Sequence, residues 1–247
     1  MNEKIVVRKC ETLADLKRCC GLQRHIWKES DLDVEPVTIM VVAAHTGGHV
    51  LGAFHGDDIV GFTEAIVGLK DGQPYLHSHV TGVAEPYRDC GVGRALKLFQ
   101  RDDALSRGIR LVQWSFDPLE MRNAYFNLNR LGAVCRQFIP NLYGVTSSPL
   151  HRGLPTDRLL AEWHLDSGHV AARTAGRNGF APTAEARIHL PVELEDWKKT
   201  DLGKLIELQT RLREEFMQWF SKGYALVALN VSPEGMAYEL APWGQIQ

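Results

Sequence analysis

The sequence predicts an α+β protein, and three observations carry that prediction. Short β-rich runs dominate the first third of the chain, at Ile5-Val6-Val7, His49 to His55, Ile59 to Val67 and Tyr75 to Val83. Two of them are separated only by Gly56-Asp57-Asp58, a hairpin signal that makes the pair antiparallel. The period then changes, with Val92, Ala95, Leu96 and Phe99 recurring at helical spacing.

Taken in order, Thr12 to Trp27 reads as a helix with Leu13, Leu16 and Cys20 around its faces, and a polar loop leads on to the His49 strand. Tyr75 to Val83 is bounded by turn formers, Asp71-Gly72-Gln73-Pro74 before it and Glu85-Pro86 after it. The helix from Val92 stops at Arg107-Gly108, a basic last turn followed by a C-cap glycine. Ile109 to Phe116 is a strand halted by Asp117-Pro118, and Met121 to Leu131 is a helix ending at Gly132. Ala133 to Ile139 and Arg158 to Leu165 are two further strands; between them Asn141 to Asp157, with Pro149, Gly153 and Pro155, reads as a covering loop. From Asp166 the texture changes to a small-residue stretch (Ser167 to Gly179), a strand (Ala186 to Val192) and one long helix (Asp196 to Lys222). That helix carries Leu205, Leu208, Leu212, Phe216 and Trp219 on one face, and strands at Tyr224 to Val231 and Met236 to Leu240 follow.

The 247 residues are 45% hydrophobic and 23% charged, which excludes a disordered chain and a disulfide scaffold. Lys plus Arg (28) against Asp plus Glu (30) leaves a net charge of −2, so no global positive field draws nucleic acid or anionic lipid. Any anion must be held by a local site. The five cysteines, Cys10, Cys19, Cys20, Cys90 and Cys135, form no CxxC pair and read as reduced thiols. Met1-Asn2-Glu3-Lys4 lacks the apolar core of a signal peptide, and the run Val37 to Ala44 is too short to span a bilayer. The expectation is a cytoplasmic protein with neither nucleic acid nor membrane as a partner.

The chemistry concentrates in Arg88-Asp89-Cys90-Gly91-Val92-Gly93-Arg94, a Gly-rich turn between the Tyr75 strand and the Val92 helix. Alternate glycines where a helix begins leave backbone N–H groups open at the positive end of the helix dipole, a receptor for phosphate or pyrophosphate. Arg88, Arg94 and Lys97 stand around it as cations for further phosphates. A P-loop is excluded because Arg94-Ala95 follows the last glycine, and a dinucleotide fingerprint because Leu96 takes the place of its third glycine.

What remains resembles the GNAT N-acyltransferase superfamily, whose signature is Arg or Gln, two residues, Gly, one residue, then Gly or Ala. Arg88 to Gly93 satisfies it in full, and Val80-Thr81-Gly82-Val83-Ala84-Glu85-Pro86-Tyr87 is similar to the family's preceding strand and exit. The order of elements from Ile5 to Leu165 is similar as well. The resemblance implies an α/β/α sandwich whose mixed, mostly antiparallel sheet has central strands splayed apart. Acetyl-CoA or another acyl-CoA would lie in the opening, its pantetheine arm on backbone at Thr81, Gly82 and Val83. Its pyrophosphate would sit on the amides of Gly91, Val92, Gly93, Arg94 and Ala95, with Asn123 near the arm. Residues 1–166 would be the acyltransferase domain. Residues 167–247 would be a smaller α+β extension, too short for an independent core, packed on that domain or at a homodimer interface.

Acyl transfer needs a base for the amine, polarisation of the thioester and an acid for the departing thiolate. By the period of two, His77, His79, Thr81 and Val83 share a face of the strand entering the loop; His79 is the first candidate for the base and His77 the second. Glu64, a carboxylate in an otherwise apolar strand, is the other. Many relatives place an acidic tyrosine four residues before the helix-ending glycine, and here that position is Leu128. Tyr125, one turn earlier, and Tyr143, in the following loop, are the substitutes. Cys90 occupies a variable position and is set aside as a nucleophile. His45, His49 and His55 lack ligand spacing, read as scattered surface histidines and imply no metal. Arg122, Arg130, Arg136, Arg152, Arg158, Arg173 and Arg177 crowd the later region and would suit an acceptor carboxylate or a succinyl group. The expected function is acyl-CoA-dependent acylation of a small primary amine such as an amino acid. The alternative is a non-catalytic acyl-CoA-binding or regulatory module.

Overall fold

The computed structural model describes residues 4–27, 34–144, 153–176, 182–233 and 235–246. They fall into two compact units, Met1–Gln113 and Trp114–Gln247.

The first unit runs β1 (Val6–Lys9), α1 (Leu13–Trp27), α2 (Val37–His45), β2 (His49–His55), β3 (Asp58–Lys70), β4 (Gln73–Val83), α3 (Val92–Ser106) and the start of β5 (Leu111–Phe116). β1 to β4 are antiparallel neighbours in chain order. β4 then pairs with β5 in parallel, at Leu76↔Val112 and His77↔Gln113, so the sheet is mixed as expected. β2 shows why these strands read as unbroken apolar runs. Val50 packs under α1 and α2 with Leu16, Cys19 and Met40, while its neighbour Leu51 packs under α3 with Val92 and Leu96. Both faces of the strand are covered, so alternation in polarity disappears although alternation in direction remains.

The sequence pattern gives no helix between Trp27 and His49, yet α2 is one. Seven of its nine residues are apolar and they fall on every side, so the amphipathic signature is missing. Pro36 before it and the left-handed Gly47 after it are the signals that remain.

Regular alternation along β4 also fails, for an identifiable reason. The β3–β4 register shifts between Glu64, opposite Val80, and Ala65, opposite Ser78, which leaves His79 as an extra residue in a β-bulge. Ser78 and Thr81, three apart, therefore both reach Thr63 on the α3 side. The expectation that His77, His79, Thr81 and Val83 share one face is thus corrected: the two histidines keep company, with ring centroids 6.3 Å apart, and Thr81 does not join them.

The second unit contains α4 (Met121–Tyr125), a π-helical turn at Phe126–Arg130, β6 (Val134–Ile139), β7 (Arg158–His164) and α5 (Gly168–Thr174). It goes on through β8 (Ala186–Leu190), α6 (Leu194–Thr200), α7 (Leu202–Ser221), β9 (Tyr224–Ser232) and β10 (Gly235–Pro242). Its strands lie in the order β7-β6-β9-β10-β8. The single helix expected at Asp196 to Lys222 is two, because Asp201 leaves helical geometry and its side chain caps the Lys204 amide at 3.0 Å.

The chain after Asp166 does not stack on a finished sheet. It extends the edge of β6, where Cys135 pairs with Leu226, and lays α7 over the result. Phe216 stacks on Phe138 of β6 at 5.8 Å and meets Tyr238 of β10 at 5.3 Å. Asn129 donates to the Leu229 carbonyl (3.2 Å) and accepts from its amide (2.9 Å), so this asparagine is a strand clamp rather than solvated surface. Arg213 of α7 holds Asp157, whose side chain is 0% exposed, through two bonds of 3.0 and 2.9 Å.

Candidate functional site

β4 runs six residues beyond its last β5 pair at His77, ending at Val83, where Arg88 Nε donates to the Val83 carbonyl at 3.2 Å. A 3₁₀ turn, Glu85–Tyr87, then carries the chain to the Gly-rich loop. Asp89 (φ +61°) and Gly91 (φ +82°) both adopt the left-handed conformation there, and a Cβ added at Gly91 would meet nothing within 4 Å. The first helical bond of α3 runs from the Ala95 amide to the Gly91 carbonyl at 2.9 Å, and no side chain caps the end. The amides ahead of Ala95 point out of the helix, as the motif requires of an anion receptor.

Lys97 does not serve that loop. It is 3% exposed and turned under the sheet, donating to Ser78 Oγ at 3.0 Å and to Gln100 Oε1 at 2.7 Å. Burial pushes its amine down to about 7. Gln100 continues to His49 Nε2 (3.0 Å), and His49 Nδ1 meets Asp103 at 2.8 Å. His49 is 3% exposed, so it is not a surface histidine, and burial lowers its basicity despite Asp103. Burial pushes the Asp103 carboxyl up, but bonds from His49 and Lys9 and the Arg107 charge hold it well below the usual carboxylate range.

On the opposite face of the sheet lies a second polar group. Glu64 is 0% exposed and neither carboxylate oxygen has a hydrogen-bond partner among the described residues. Burial, reinforced by the charge of Glu35, raises it to about 7. His79 is exposed and its Nε2 lies 3.2 Å from Glu35 Oε2; His77 is half-buried and shifted down by burial, then by His79 and Lys97. Glu35 is held in turn by α1, whose Gln23 accepts from the Glu35 amide at 3.0 Å. Sequence reasoning missed Glu35, because nothing in Val34-Glu35-Pro36 distinguishes it from a loop carboxylate.

The second unit holds the remaining predicted residues. Tyr125 closes α4, 37% exposed, with the Arg130 guanidinium 5.6 Å over its ring. Leu128 is 0% exposed, a core residue at the position that the resemblance assigns to an acid. Asn123 accepts from Asn127 Nδ2 at 3.2 Å, and the Tyr143 hydroxyl lies 3.0 Å from Ser115 Oγ at the end of β5. Arg136 pairs with Glu162 at 2.7 Å, and the buried Arg158 donates to the Asp157 carbonyl at 3.0 Å, so these two serve the unit itself rather than a free basic patch. Arg152, Arg177 and positions 145–152 of the loop lie outside the described residues. A cavity of about 240 Å³ lined by Val134, His164, Asp166 and Trp243 includes none of the predicted residues. Among the described residues, no group of three or more His, Cys, Asp or Glu is placed to hold a metal ion, and no helix is long and apolar enough to cross a membrane.

No protein-family model matches this chain, and no curated protein does. Solved structures do match it. A GNAT-family protein from Desulfovibrio desulfuricans aligns with a TM-score of 0.54 at 16% identity, covering 66% of this chain and 99% of that one. The fold is that of the GNAT acetyltransferases. Arabidopsis thaliana NAA60, solved in complex with acetyl-CoA, aligns at 0.54 and 17% identity over 65% of this chain and 99% of its own. A GNAT-family acetyltransferase from Streptococcus pneumoniae aligns at 0.51 and 14% over 64% and 98%. The aligned 66% of 247 residues is about 163, which leaves about 84 outside that alignment.

Proposed function

We propose that the protein is an acyl-CoA-dependent N-acyltransferase, with acetyl-CoA the donor to be tried first and a small-molecule primary amine the acceptor. One observation carries the reading: the part of β4 beyond its β5 ladder is followed, after one 3₁₀ turn and the Gly-rich loop, by the N-terminus of α3 at Gly91, which no side chain caps. An extended arm pairing with Thr81, Gly82 and Val83 and a pyrophosphate on the amides from Gly91 to Ala95 would satisfy both at once. Arg88 and Arg94, both exposed, are the cations beside that pyrophosphate. NAA60, which shares the fold, was solved in complex with acetyl-CoA, which supports acetyl-CoA as the donor to try first.

Glu64 replaces His79 as first choice for the base. A carboxyl near 7 matches the working range of a general base, whereas His79 is exposed and engaged with Glu35. Being fully buried, Glu64 would collect the proton of the amine through an intervening water. Tyr125 and Tyr143 stay as candidates for the thiolate's acid. Residues 1–166 would form the acyltransferase domain and 167–247 an extension built onto its last strands; the cytoplasm is the compartment in which acyl-CoA and reduced cysteines coexist.

Incubation with acetyl-CoA and succinyl-CoA against a panel of amines, following free thiol, tests the reading. Amine-dependent thiol release with one donor is the expected result. Saturable acyl-CoA binding with no such release across the panel would instead establish a non-catalytic binding module, for which the apolar Leu128 is the supporting feature.

A further inference from the structure

Within the first unit, a line of hydroxyls joins buried Lys97 to the open stretch of β4. Lys97 Nζ donates to Ser78 Oγ (3.0 Å), Ser78 Oγ stands 3.5 Å from Thr63 Oγ1, and Thr63 Oγ1 is 2.7 Å from Thr81 Oγ1. Ser78 and Thr63 are buried, 4% and 0% exposed, while Thr81 emerges at the surface. The β-bulge at His79 creates the line, because it brings Ser78 and Thr81 onto the same side of the sheet. A lysine beneath a sheet is costly to bury, and a methionine or leucine would fill the same place without desolvating a charge. Its retention calls for a task.

We propose that Lys97 is the proton source for the departing thiolate, delivering through Ser78, Thr63 and Thr81 and taking the place of the tyrosine that Leu128 replaces. The inference rests on the acyltransferase reading, since the sulfur must lie beside Thr81. As the carbon–sulfur bond breaks, its electron pair stays on sulfur and Thr81 gives its hydroxyl proton to that sulfur. Thr81 is refilled from Thr63, Thr63 from Ser78, and Ser78 from the Lys97 ammonium, which is left as a neutral amine. The amine substrate's own proton leaves separately to the base. After coenzyme A has departed, water at exposed Thr81 reprotonates the line in reverse. The Thr63 hydroxyl also faces the Val80 carbonyl at 3.1 Å, so it must rotate toward Thr81 for the transfer, which makes Thr63 the gate.

The titratable groups around Lys97 are known from each packed element. His49 of β2 and His77 of β4 both feel its charge; Asp103 of α3 lies beyond His49, with Lys9 of β1 and Arg107 beyond Asp103. Burial brings the Lys97 amine to about 7, below the usual range of a thiol. Proton transfer toward the thiolate is therefore downhill. Lys97 acts through Thr81, so its role is supply and positioning rather than contact.

The test is a pH–rate profile for acetyl-CoA and the best amine of the panel, in wild type, Lys97→Met and Thr81→Val, with folding checked by thermal melts. Wild type should lose kcat as pH rises past about 7 to 8, as Lys97 deprotonates. Lys97→Met should lower kcat roughly 10- to 100-fold, keep KM for acetyl-CoA within about twofold and abolish that alkaline limb. Thr81→Val should do the same while leaving Lys97 in place. Unchanged kcat, or a lower kcat with the alkaline limb intact, would overturn the proposal. If wild type binds acetyl-CoA but releases no thiol, the acyltransferase reading fails and this inference falls with it, a result told apart by the wild-type arm alone.

Discussion

Asp157 and Glu162 of the second unit and Glu64 and Lys97 of the first are buried in opposite ways. In the second, Asp157 is fully buried against both nitrogens of the Arg213 fork, and Glu162 against Arg136. In the first, Glu64 is buried with neither oxygen bonded, and Lys97 is buried against a hydroxyl and an amide oxygen. Paired charges fix geometry at little net cost. A group whose burial outweighs its bonds shifts its own protonation instead, which suits proton transfer and not architecture. The contrast sets Glu64 and Lys97 apart from Asp157 and Glu162, and from the first unit's own Asp103, which Lys9 and Arg107 hold.

The largest effect should come from breaking the scaffold. Asp157→Ala strands the Arg213 guanidinium and should cost about 3–5 kcal/mol in urea unfolding; a loss under about 1 kcal/mol would mean the pair is ornamental. Glu64 should show the reverse. Its folded pKa of about 7 exceeds the ordinary carboxyl value of 4.5, so its contribution to stability is full below about 4.5 and is lost as pH rises toward 7. That difference amounts to about 3 kcal/mol. Glu64→Gln should remove this slope, be as stable as wild type or more so at pH 8, and still lower kcat/KM by about 100-fold. Lys97 carries the opposite sign: its amine is depressed from 10.5 to about 7, so stability should rise with pH between those values, and Lys97→Met should stabilise at pH 6 by roughly 1–4 kcal/mol. A destabilised Lys97→Met would erase that contrast. Smaller again, Gly91→Val forces a β-branched residue to φ +82° and should cost about 1–2 kcal/mol of stability while weakening acetyl-CoA binding about tenfold by calorimetry. Tyr125→Phe should change kcat less than about threefold if the proton comes through Thr81.

The loop was the most legible part of the sequence, because a glycine where the chain must turn left-handed into a helix, as Gly91 does at φ +82°, is a signal carried by the residue type itself. Strands with tight turns were legible for the same reason. α2 was not, since Val37–His45 has apolar residues on every face and period carries no information there. The bulge at His79 was invisible too: a one-residue shift of register is set by cross-strand pairing, not by the composition of β4. Lys97 was misread as a phosphate ligand although Val92, Leu96 and Gln100 share its buried helix side, because a lysine beside a Gly-rich loop suggests the loop first. Asn129 hid in the same way, its partner Leu229 lying a hundred residues on.

A structure of the protein with coenzyme A bound would show where the sulfur lies. Expected are the pyrophosphate on the amides between Gly91 and Ala95, the pantetheine arm along Thr81 to Val83, and the sulfur within hydrogen-bonding reach of Thr81 Oγ1. Coenzyme A bound elsewhere, or a β4 edge left empty at saturating ligand, would contradict this placement.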